Sequence, residues 1–288
     1  MDTKILAAAP VIEKIKKELT KKCENLKSRG IVPSMKVILV GDNPASLSYI
    51  RNKKKLCEEI GAKFSLDQLP KEITQTEFLK HIDSVNTDKT INGIIIQLPV
   101  TEELRKLHIP NLVVPSRDID GFHGLNTQNL YSGTINMSLL LPCTPKGIIT
   151  LLNHYEIPIE GKHVVVVGRS LIVGKPMSMM LTNRGATVTL AHSKTERLED
   201  FTRNADIVVC AIGKTRFLTE KHFNINRKTV VIDVGMNTLN GKLTGDVDQE
   251  AVKGKVSAIT PVPGGVGPMT VVSLIENLIT ATELQLKG

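Results

Sequence analysis

Short apolar runs alternate with helical patterns along most of this 288-residue chain, and this alternation restricts the fold more than any other feature. The runs predict strands near residues 36–40, 64–69, 93–97, 163–167, 187–190, 206–210, 229–233 and 256–260. The helical patterns between them lie near residues 10–29, 44–60, 76–86, 145–153 and 269–286. Strands that alternate with helices predict a parallel sheet covered by helices, so the expected fold class is α/β.

A stretch rich in proline and glycine, from about residue 110 to the sequence LPCTPKG (141–147), divides this alternation into two halves. Because 288 residues are long for one hydrophobic core, we expect two domains. The predicted boundaries are 1–140 for the first domain and 141–269 for the second. The C-terminal helix, within 270–288, is expected to pack back on the first domain.

Composition argues against several classes of protein. No apolar run approaches the roughly 20 residues that span a bilayer, and we expect neither a signal peptide nor a membrane partner. The formal net charge of +8 fits an anionic ligand. We expect no nucleic-acid partner, since the lysines form no long block and no nucleic-acid-binding motif is present. The four cysteines are far apart, which predicts no metal site and no disulfide and favours the cytoplasm.

A lysine interrupts the apolar side of the helix predicted over 44–60. At about 100° per residue, one arc of this helix collects the apolar side chains Ile50, Leu56, Cys57 and Ile60. Lys53 falls in the middle of that arc, with Tyr49 one turn earlier, while Lys54 and Lys55 already supply charge for solvent. Lys53 can extend its ammonium past its neighbours into water. The alternative is a pocket lysine, whose removal from water makes it a usable proton donor and acceptor.

Polar residues follow the predicted strands at the edge where ligands bind in open α/β sheets. Gln97 ends the run GIII, and SRDIDGF (116–122) carries Asp118 and Asp120. Strand-end polarity before a turn at Pro99 is the alternative for Gln97, and an Asx turn explains the aspartates about as well as a function does. The loop TPVPGGVGPMT (260–270) opens the last helix, and its glycines allow a ligand to approach the backbone closely.

The stretch VVVVGRSLIVGKP (164–176) begins like the first strand of a dinucleotide-binding fold. The usual G-x-G-x-x-G turn is missing, because Gly168 is followed by Arg169 and Ser170 and the next glycine is Gly174.

Six motifs occur together in order along the chain. They are Y-x-x-x-K at 49–53, QLP at 97–99, DIDGF at 118–122, PCTPKG at 142–147, VVVGRSLIVGKP at 165–176 and ITPVPGGVGPMT at 259–270. Together they resemble the bifunctional methylenetetrahydrofolate dehydrogenase/methenyltetrahydrofolate cyclohydrolase family, of the FolD type, over nearly the whole chain. The resemblance implies an N-terminal α/β folate-binding catalytic domain, a Rossmann-like NADP-binding domain and a homodimer.

The resemblance also implies the activity: NADP-dependent oxidation of 5,10-methylenetetrahydrofolate to the methenyl cation, then hydration to 10-formyltetrahydrofolate. It makes Lys53 the general acid/base, Gln97 the residue that orients it, Tyr49 the residue that stacks on folate, and Asp120 the pterin ligand. The implied folate-binding residues are Tyr49, Gln97, Leu98, Pro99, Asp120, Pro263, Gly264, Gly265 and Val266. The implied NADP-binding residues are Thr144, Gly168, Arg169, Ser170, Ser193 and Met236. A polyglutamylated folate fits the basic charge. Departures from the family pattern are mild: Val100-Thr101 stands where Leu-Pro is frequent, and Arg117 where Lys is frequent.

The residues themselves favour NADP over NAD. An NAD site has an acidic residue at the end of the second strand, where it binds the ribose 2′-hydroxyl. Here that strand lies in ATVTLAHSKT (186–195) and ends in His192, Ser193 and Lys194, without a carboxylate. Arg169, with the nearby hydroxyls, is suited to a 2′-phosphate.

Three alternatives remain at this point: a dehydrogenase-only relative, an NADP enzyme of the shikimate dehydrogenase type, and a basic nucleic-acid-binding protein with a decayed nucleotide domain. The combined presence of Tyr49, Lys53, Gln97 and Asp120 argues against the first two. Salt-sensitive nucleic-acid binding without folate turnover would favour the third.

Overall fold

The computed structural model describes residues 2–133 and 140–287, in which strands and helices alternate. The strands are β1 Lys4–Ile5, β2 Ser34–Val40, β3 Lys63–Leu69, β4 Gly93–Ile96, β5 His163–Val167, β6 Thr187–Ala191, β7 Ile207–Cys210, β8 Val230–Asp233, β9 Asn237–Leu239, β10 Lys242–Thr244 and β11 Ala258–Ile259. The helices are α1 Ala9–Ser28, α2 Pro44–Glu59, α3 Gln75–Thr87, α4 Gly124–Tyr131, α5 Cys143–His154, α6 Gly174–Thr182, α7 Leu198–Thr202, α8 Gln249–Val252 and α9 Val266–Gln285. Each strand and helix expected from the sequence is present, which confirms the α/β fold class.

The chain forms two compact units. The first unit consists of Lys14–Cys143 and Val271–Gly288, and the second unit of Met1–Glu13 and Thr144–Thr270. The amino-terminal residues therefore belong to the second unit, whereas the predicted boundary assigned them to the first domain. The reason is β1, which pairs in parallel with β11 through Lys4↔Ala258 and Ile5↔Ile259. A two-residue strand carries too short a pattern to be recognised, and its partner lies at the other end of the sequence.

The first unit is built on a parallel sheet of strand order β3-β2-β4. Every residue of β4 is buried, as expected for a strand covered on both faces. The helix α3 packs Phe78, Ile82 and Val85 into the core beside β2 and β4. Gln97 follows β4 at the carboxyl end of this sheet.

The C-terminal helix α9 belongs to the first unit from residue 271 onward. The packing is close at Gly93 of β4. A Cβ atom placed there would lie 2.9 Å from Leu278 Cδ1 and 2.7 Å from Ile119 Cγ2. Glycine at this position therefore permits the helix, the strand and the segment before Asp120 to meet.

The second unit contains a parallel sheet of strand order β1-β11-β8-β7-β5-β6. Its core is aliphatic, with the valines of β5 and β7 fully buried. A small antiparallel hairpin, β9–β10, follows β8 and was not expected from the sequence. Among the described residues, none of the helices is long and apolar enough to cross a membrane.

Candidate active site

Helix α2 carries Lys53, and its start is determined locally. The side chain of Asn43 accepts hydrogen bonds from the amides of Ala45 and Ser46, and Pro44 occupies the first turn. The helix ends before Gly61, whose φ of +87° suits glycine. These signals place the apolar arc against the sheet, so that Ile50, Leu56 and Cys57 are buried as expected.

Lys53 differs from the lysines beside it. Its Nζ donates a hydrogen bond to Gln97 Oε1 at 3.0 Å, and the side chain is partly buried. Lys54 and Lys55 are exposed and lie 3.9 and 4.0 Å from Glu58 and Glu59. Lys53 is therefore directed toward the carboxyl end of β4.

Gln97 is itself held in one orientation. Its backbone amide donates to Ile38 O at 2.8 Å, which continues the β2–β4 ladder. Its side-chain Nε2 donates to Leu98 O at 2.8 Å, so the amide oxygen is left to face Lys53. The two bonds fix where the lysine nitrogen lies.

Exposed apolar surface lies beside this pair. Tyr49 stands one turn before Lys53 on α2 and is 38% exposed, and Leu98 follows Gln97 and is 36% exposed. Burial of the rest of its side chain raises the pKa of the Tyr49 hydroxyl. An aromatic ring and a leucine beside a held lysine suit a flat ligand with an apolar face.

Asp118 forms the turn that carries Asp120. Its Oδ1 accepts the Gly121 amide at 3.1 Å, and its Oδ2 accepts the His123 amide at 2.7 Å and Asn126 Nδ2 at 2.9 Å. Burial raises the pKa of Asp118 to about 6, although these hydrogen bonds act to lower it. The Asx-turn interpretation is therefore correct for Asp118, because its buried carboxylate already accepts three hydrogen bonds within the protein.

Asp120 has a different environment. It is partly exposed, and burial raises the pKa of its carboxyl while the nearby ammonium of Lys53 acts to lower it. On the other side of the segment, Asn277 of α9 donates to the carbonyls of Ile119 and Leu141, each at 2.8 Å. The first unit thus brings Tyr49, Lys53, Gln97, Leu98 and Asp120 to one edge of its sheet.

The loop after β5 folds back on itself. Gly168 has a φ of +120°, and a Cβ atom there would lie 2.2 Å from Ala211 O. A Cβ atom on Gly174 would lie 1.9 Å from Gly168 O. Both positions therefore require glycine. The Oγ of Ser170 accepts the amides of Val173 and Gly174 at 3.2 and 3.4 Å, so it lies beside the amino end of helix α6.

The end of β6 lies directly beside this loop, because the Gly168 amide donates to Ala191 O at 2.9 Å. The turn that follows is tied by the His192 amide, which donates to Thr195 Oγ1 at 2.9 Å. Ser193 is exposed in this turn and Arg169 is exposed in the neighbouring loop. These groups suit the 2′-phosphate of NADP, since a guanidinium, two hydroxyls and the amino end of α6 favour an anion. Residues 192–195 contain no carboxylate that would repel it.

Two further nucleotide candidates, Thr144 and Met236, each lie beside the start of α9. Thr144 Oγ1 and Thr270 Oγ1 are 3.0 Å apart. A Cβ atom on Gly267 would lie 3.2 Å from the sulfur of Met236, whose side chain is exposed. In the preceding loop, exposed Pro263 and Gly264 are followed by buried Gly265 and Val266.

Sequence reasoning missed three residues that organise these edges: Asn277, Asp233 and Asp246. Asn277 stands in a helix that also contains Ser273 and Glu276, whereas Asp233 ends an apolar strand. Only Asp233 was therefore visible as a polar residue in an apolar context, and the partners of all three residues are too far away in the sequence for the pattern to identify them.

Comparison with known proteins identifies the family. The model for the catalytic domain of tetrahydrofolate dehydrogenase/cyclohydrolase matches residues 6–120, and the model for its NAD(P)-binding domain matches residues 142–286. The bifunctional protein FolD of Halalkalibacterium halodurans is 46% identical over 283 residues, 98% of each chain.

Solved structures agree. The bifunctional FolD enzyme of Campylobacter jejuni is 45% identical with a TM-score of 0.94, covering 98% of this chain and 99% of that one. The Trypanosoma brucei dehydrogenase-cyclohydrolase, solved with NADP and an inhibitor, is 31% identical with a TM-score of 0.93 and full coverage of both chains.

The shikimate dehydrogenase alternative is wrong for this chain. The Thermus thermophilus enzyme is only 14% identical with a TM-score of 0.51, a likeness of fold alone. The chain instead belongs to the tetrahydrofolate dehydrogenase/cyclohydrolase family, and is a bifunctional enzyme that oxidises 5,10-methylenetetrahydrofolate with NADP and hydrolyses the methenyl product to 10-formyltetrahydrofolate.

Proposed function

We propose that Lys53 is the general acid/base of this enzyme, oriented by Gln97, with Asp120 as the pterin ligand. The observation that carries this proposal is the 3.0 Å hydrogen bond from Lys53 Nζ to Gln97 Oε1 at the carboxyl end of β4. It places a partly buried, oriented amine beside exposed apolar surface and close enough to Asp120 to affect its pKa. Tyr49, with Leu98 and Pro99, provides the surface on which folate stacks.

The dehydrogenase step makes modest demands on these residues. The reacting carbon lies between two nitrogens, so the cation left by hydride loss is resonance-stabilised. NADP, when bound, supplies the hydride acceptor. The side chains of the first unit hold the folate. Placement of this kind accounts for most of the rate of such a step.

The cyclohydrolase step needs protons to move. A water oxygen bonds to the methenyl carbon while a proton from that water passes to the Lys53 amine. The bond from the carbon to one ring nitrogen then breaks, and the Lys53 ammonium returns the proton to that nitrogen, which leaves the formyl group on the other. General acid/base help of this kind contributes about 10²–10⁴-fold to the rate.

Asp120 suits the pterin because a carboxylate accepts two N–H donors arranged side by side. The turn built by Asp118 and the carbonyls held by Asn277 keep Asp120 at the sheet edge. In the second unit, Arg169, Ser170 and Ser193 would hold the 2′-phosphate of NADP, and Thr144, Gly168 and Met236 would border the rest of the nucleotide.

Replacement of one lysine tests the proposal. Lys53→Met keeps a long side chain on the buried arc, so the fold should survive. We expect methenyltetrahydrofolate hydrolysis to fall by about 10²-fold or more and the dehydrogenase to fall less, so that the methenyl intermediate is released. Both rates are measured on one preparation, with thermal melting for folding and Lys54→Met as the matched control. Near wild-type hydrolysis in Lys53→Met would remove Lys53 from the mechanism.

The chain also has features that support a homodimer. β3 is an edge strand in the part of the first unit that the structure describes, and its Phe64, Leu66 and Leu69 are only partly buried. Unpaired edges of this kind invite pairing with another strand. Light scattering over a range of concentrations tests this, and a monomer at every concentration would contradict it.

A polyglutamylated substrate and a cytoplasmic location complete the proposal. The net charge of +8 supports attraction of a polyanionic tail, and four buried free cysteines suit a reducing compartment. If the tail is recognised by charge, KM should fall as glutamates are added and rise again with salt. A KM that is independent of both would exclude this substrate preference.

A further inference from the structure

Two buried aspartates lie next to each other at the carboxyl edge of the six-stranded sheet, and none of the roles above uses them. Asp233 ends β8, and Asp246 follows the hairpin β9–β10. They are 1% and 0% exposed. The Asp246 amide donates to Asp233 Oδ1 at 2.9 Å. Because buried carboxylates are costly unless they are paired or hydrogen-bonded, their partners indicate what they do.

Asp246 binds the turn that follows β7. Its Oδ2 accepts the amides of Ile212 and Gly213 at 2.7 and 2.9 Å, and its Oδ1 accepts the Lys214 amide at 2.8 Å. The Oδ1 atom also accepts Asn237 Nδ2 at 2.9 Å. Four donors on one carboxylate make a set of charge-assisted hydrogen bonds, which are stronger than neutral ones.

Asp233 ties the neighbouring loops to the same point. Its carboxylate accepts the amides of Gly235 at 3.0 Å and Val247 at 3.1 Å. Its own amide donates to Thr260 Oγ1 at 2.8 Å. Gly235 directly precedes Met236, and Thr260 begins the glycine-rich loop. The two aspartates therefore connect the chain segments that follow β7, β8 and β11.

The turn held by Asp246 also supports the loop after β5. Ala211 begins this turn, and its amide donates to Val167 O at 2.8 Å. Its carbonyl oxygen is the atom that a Cβ on Gly168 would meet at 2.2 Å. The proposed nucleotide loop at Gly168–Ser170 thus lies directly on a turn whose amides are occupied by Asp246, so a shift of the turn moves the loop.

We propose that Asp246, supported by Asp233, is a positioning residue for NADP, which holds the turn 211–214 and the adjacent loops in their binding arrangement before the nucleotide arrives. This inference rests on the proposed nucleotide site. Loops that are ordered in advance lose less entropy on binding, which raises affinity without any direct contact. Asp246→Asn would place an NH₂ donor against amide donors and free the turn.

The test compares Asp246→Asn with Asp206→Asn. Asp206 accepts the His163 amide at 2.9 Å and pairs with Arg227 at 3.2 Å. It directly precedes β7, so it lies at the amino ends of the strands, opposite to the end that carries Asp246. NADP affinity is measured by calorimetric titration, folding by thermal melting, and hydrolysis by supplying methenyltetrahydrofolate without nucleotide. We expect Asp246→Asn to raise the NADP Kd by about 10-fold to 100-fold, with hydrolysis within a factor of two of wild type. Asp206→Asn should lower the melting temperature without changing the Kd.

An unchanged Kd in Asp246→Asn, a parallel loss of hydrolysis, or an equal rise of Kd in Asp206→Asn would each overturn the proposal. If Asp246→Asn fails to fold, hydrogen exchange of the wild-type enzyme tests whether the turn is ordered before NADP binds. The amides of Ile212, Gly213 and Lys214 should exchange slowly without NADP, and fast exchange that NADP slows would contradict a turn ordered in advance. Asp246→Asn should weaken NAD and NADP equally, whereas failure of the proposed phosphate site would appear as unchanged cofactor selectivity in Arg169→Ala.

Discussion

Lys53 donates its hydrogen bond to Gln97 across the gap between helix α2 and the carboxyl end of β4, at 3.0 Å. The two residues are 44 positions apart in the sequence, and each is oriented by its own element. The register Ile38↔Ile96 of β2 and β4 sets where Gln97 emerges, and the apolar arc of α2 sets where Lys53 points. Their contact therefore depends on the packing of the whole first unit.

Loss of the glutamine should disorder the lysine. In Gln97→Ala the ammonium loses its acceptor, and a hydrogen bond to a charged group is worth about 1.5–3 kcal/mol. We expect methenyl hydrolysis to slow by about 10-fold to 100-fold in kcat. Gln68→Ala is the matched control, since Gln68 also bonds a backbone carbonyl, Gly41 O at 2.9 Å, at the end of β3. Full activity in Gln97→Ala would show that Lys53 needs no orientation.

Cofactor selectivity should depend on Arg169. Arg169→Ala, and more strongly its combination with Ser193→Asp, should reduce kcat/KM for NADP by about 10-fold to 100-fold more than for NAD, because the guanidinium pairs with the 2′-phosphate and the new carboxylate repels it. Steady-state rates with both cofactors give the comparison. Arg197, an exposed residue paired with Asp200, supplies a control arginine. Equal losses for NAD and NADP would mean that Arg169 does not recognise the phosphate.

Replacement of Asp120 should weaken folate binding and leave NADP binding unchanged. Asp120→Ala should raise folate KM by about 10-fold or more, or abolish turnover, because the pterin loses two charge-assisted hydrogen bonds. NADP binding should stay within a factor of two, since the nucleotide candidates belong to the other unit. Calorimetric titration with NADP alone makes the measurement. Loss of NADP binding in a folded variant would contradict the assignment of Asp120 to the folate site.

Stability should depend on pH through Asp118. Its pKa is raised to about 6 in the folded protein, whereas an unfolded aspartate titrates near about 3.9. The folded state holds this proton more tightly, so its contribution to stability is full below pH about 4 and is lost as pH rises through about 6.

Asp118→Asn removes that titration. Relative to wild type, the variant should gain about 1 kcal/mol between pH 5 and pH 8, or about 2–4 °C in melting temperature. Asp83→Asn, at an exposed position of α3, is the control and should show no such difference. A melting-temperature difference that is the same at both pH values would contradict a raised pKa at Asp118.

The sequence by itself determined the elements and the chemistry that they carry. Apolar periodicity and local signals such as Asn43 before α2 placed the strands and helices, because these depend on neighbours within a few residues. Lys53 on an apolar arc, Gln97 after a buried strand and the missing carboxylate after β6 were likewise visible as local departures from pattern. Six motifs in order were enough to recognise the family.

Only the tertiary structure decided which of these residues meet and what holds them. Strand β1 joined the second unit, Asn277 reached the carbonyls beside Asp120, and Asp246 gathered the amides of a turn more than 30 residues away. Hydrogen bonds between distant segments leave no periodic trace in the sequence, since either partner alone has the appearance of an ordinary polar residue. Their geometry exists only once burial has removed competing water and the packed sheets have fixed the distance between the partners.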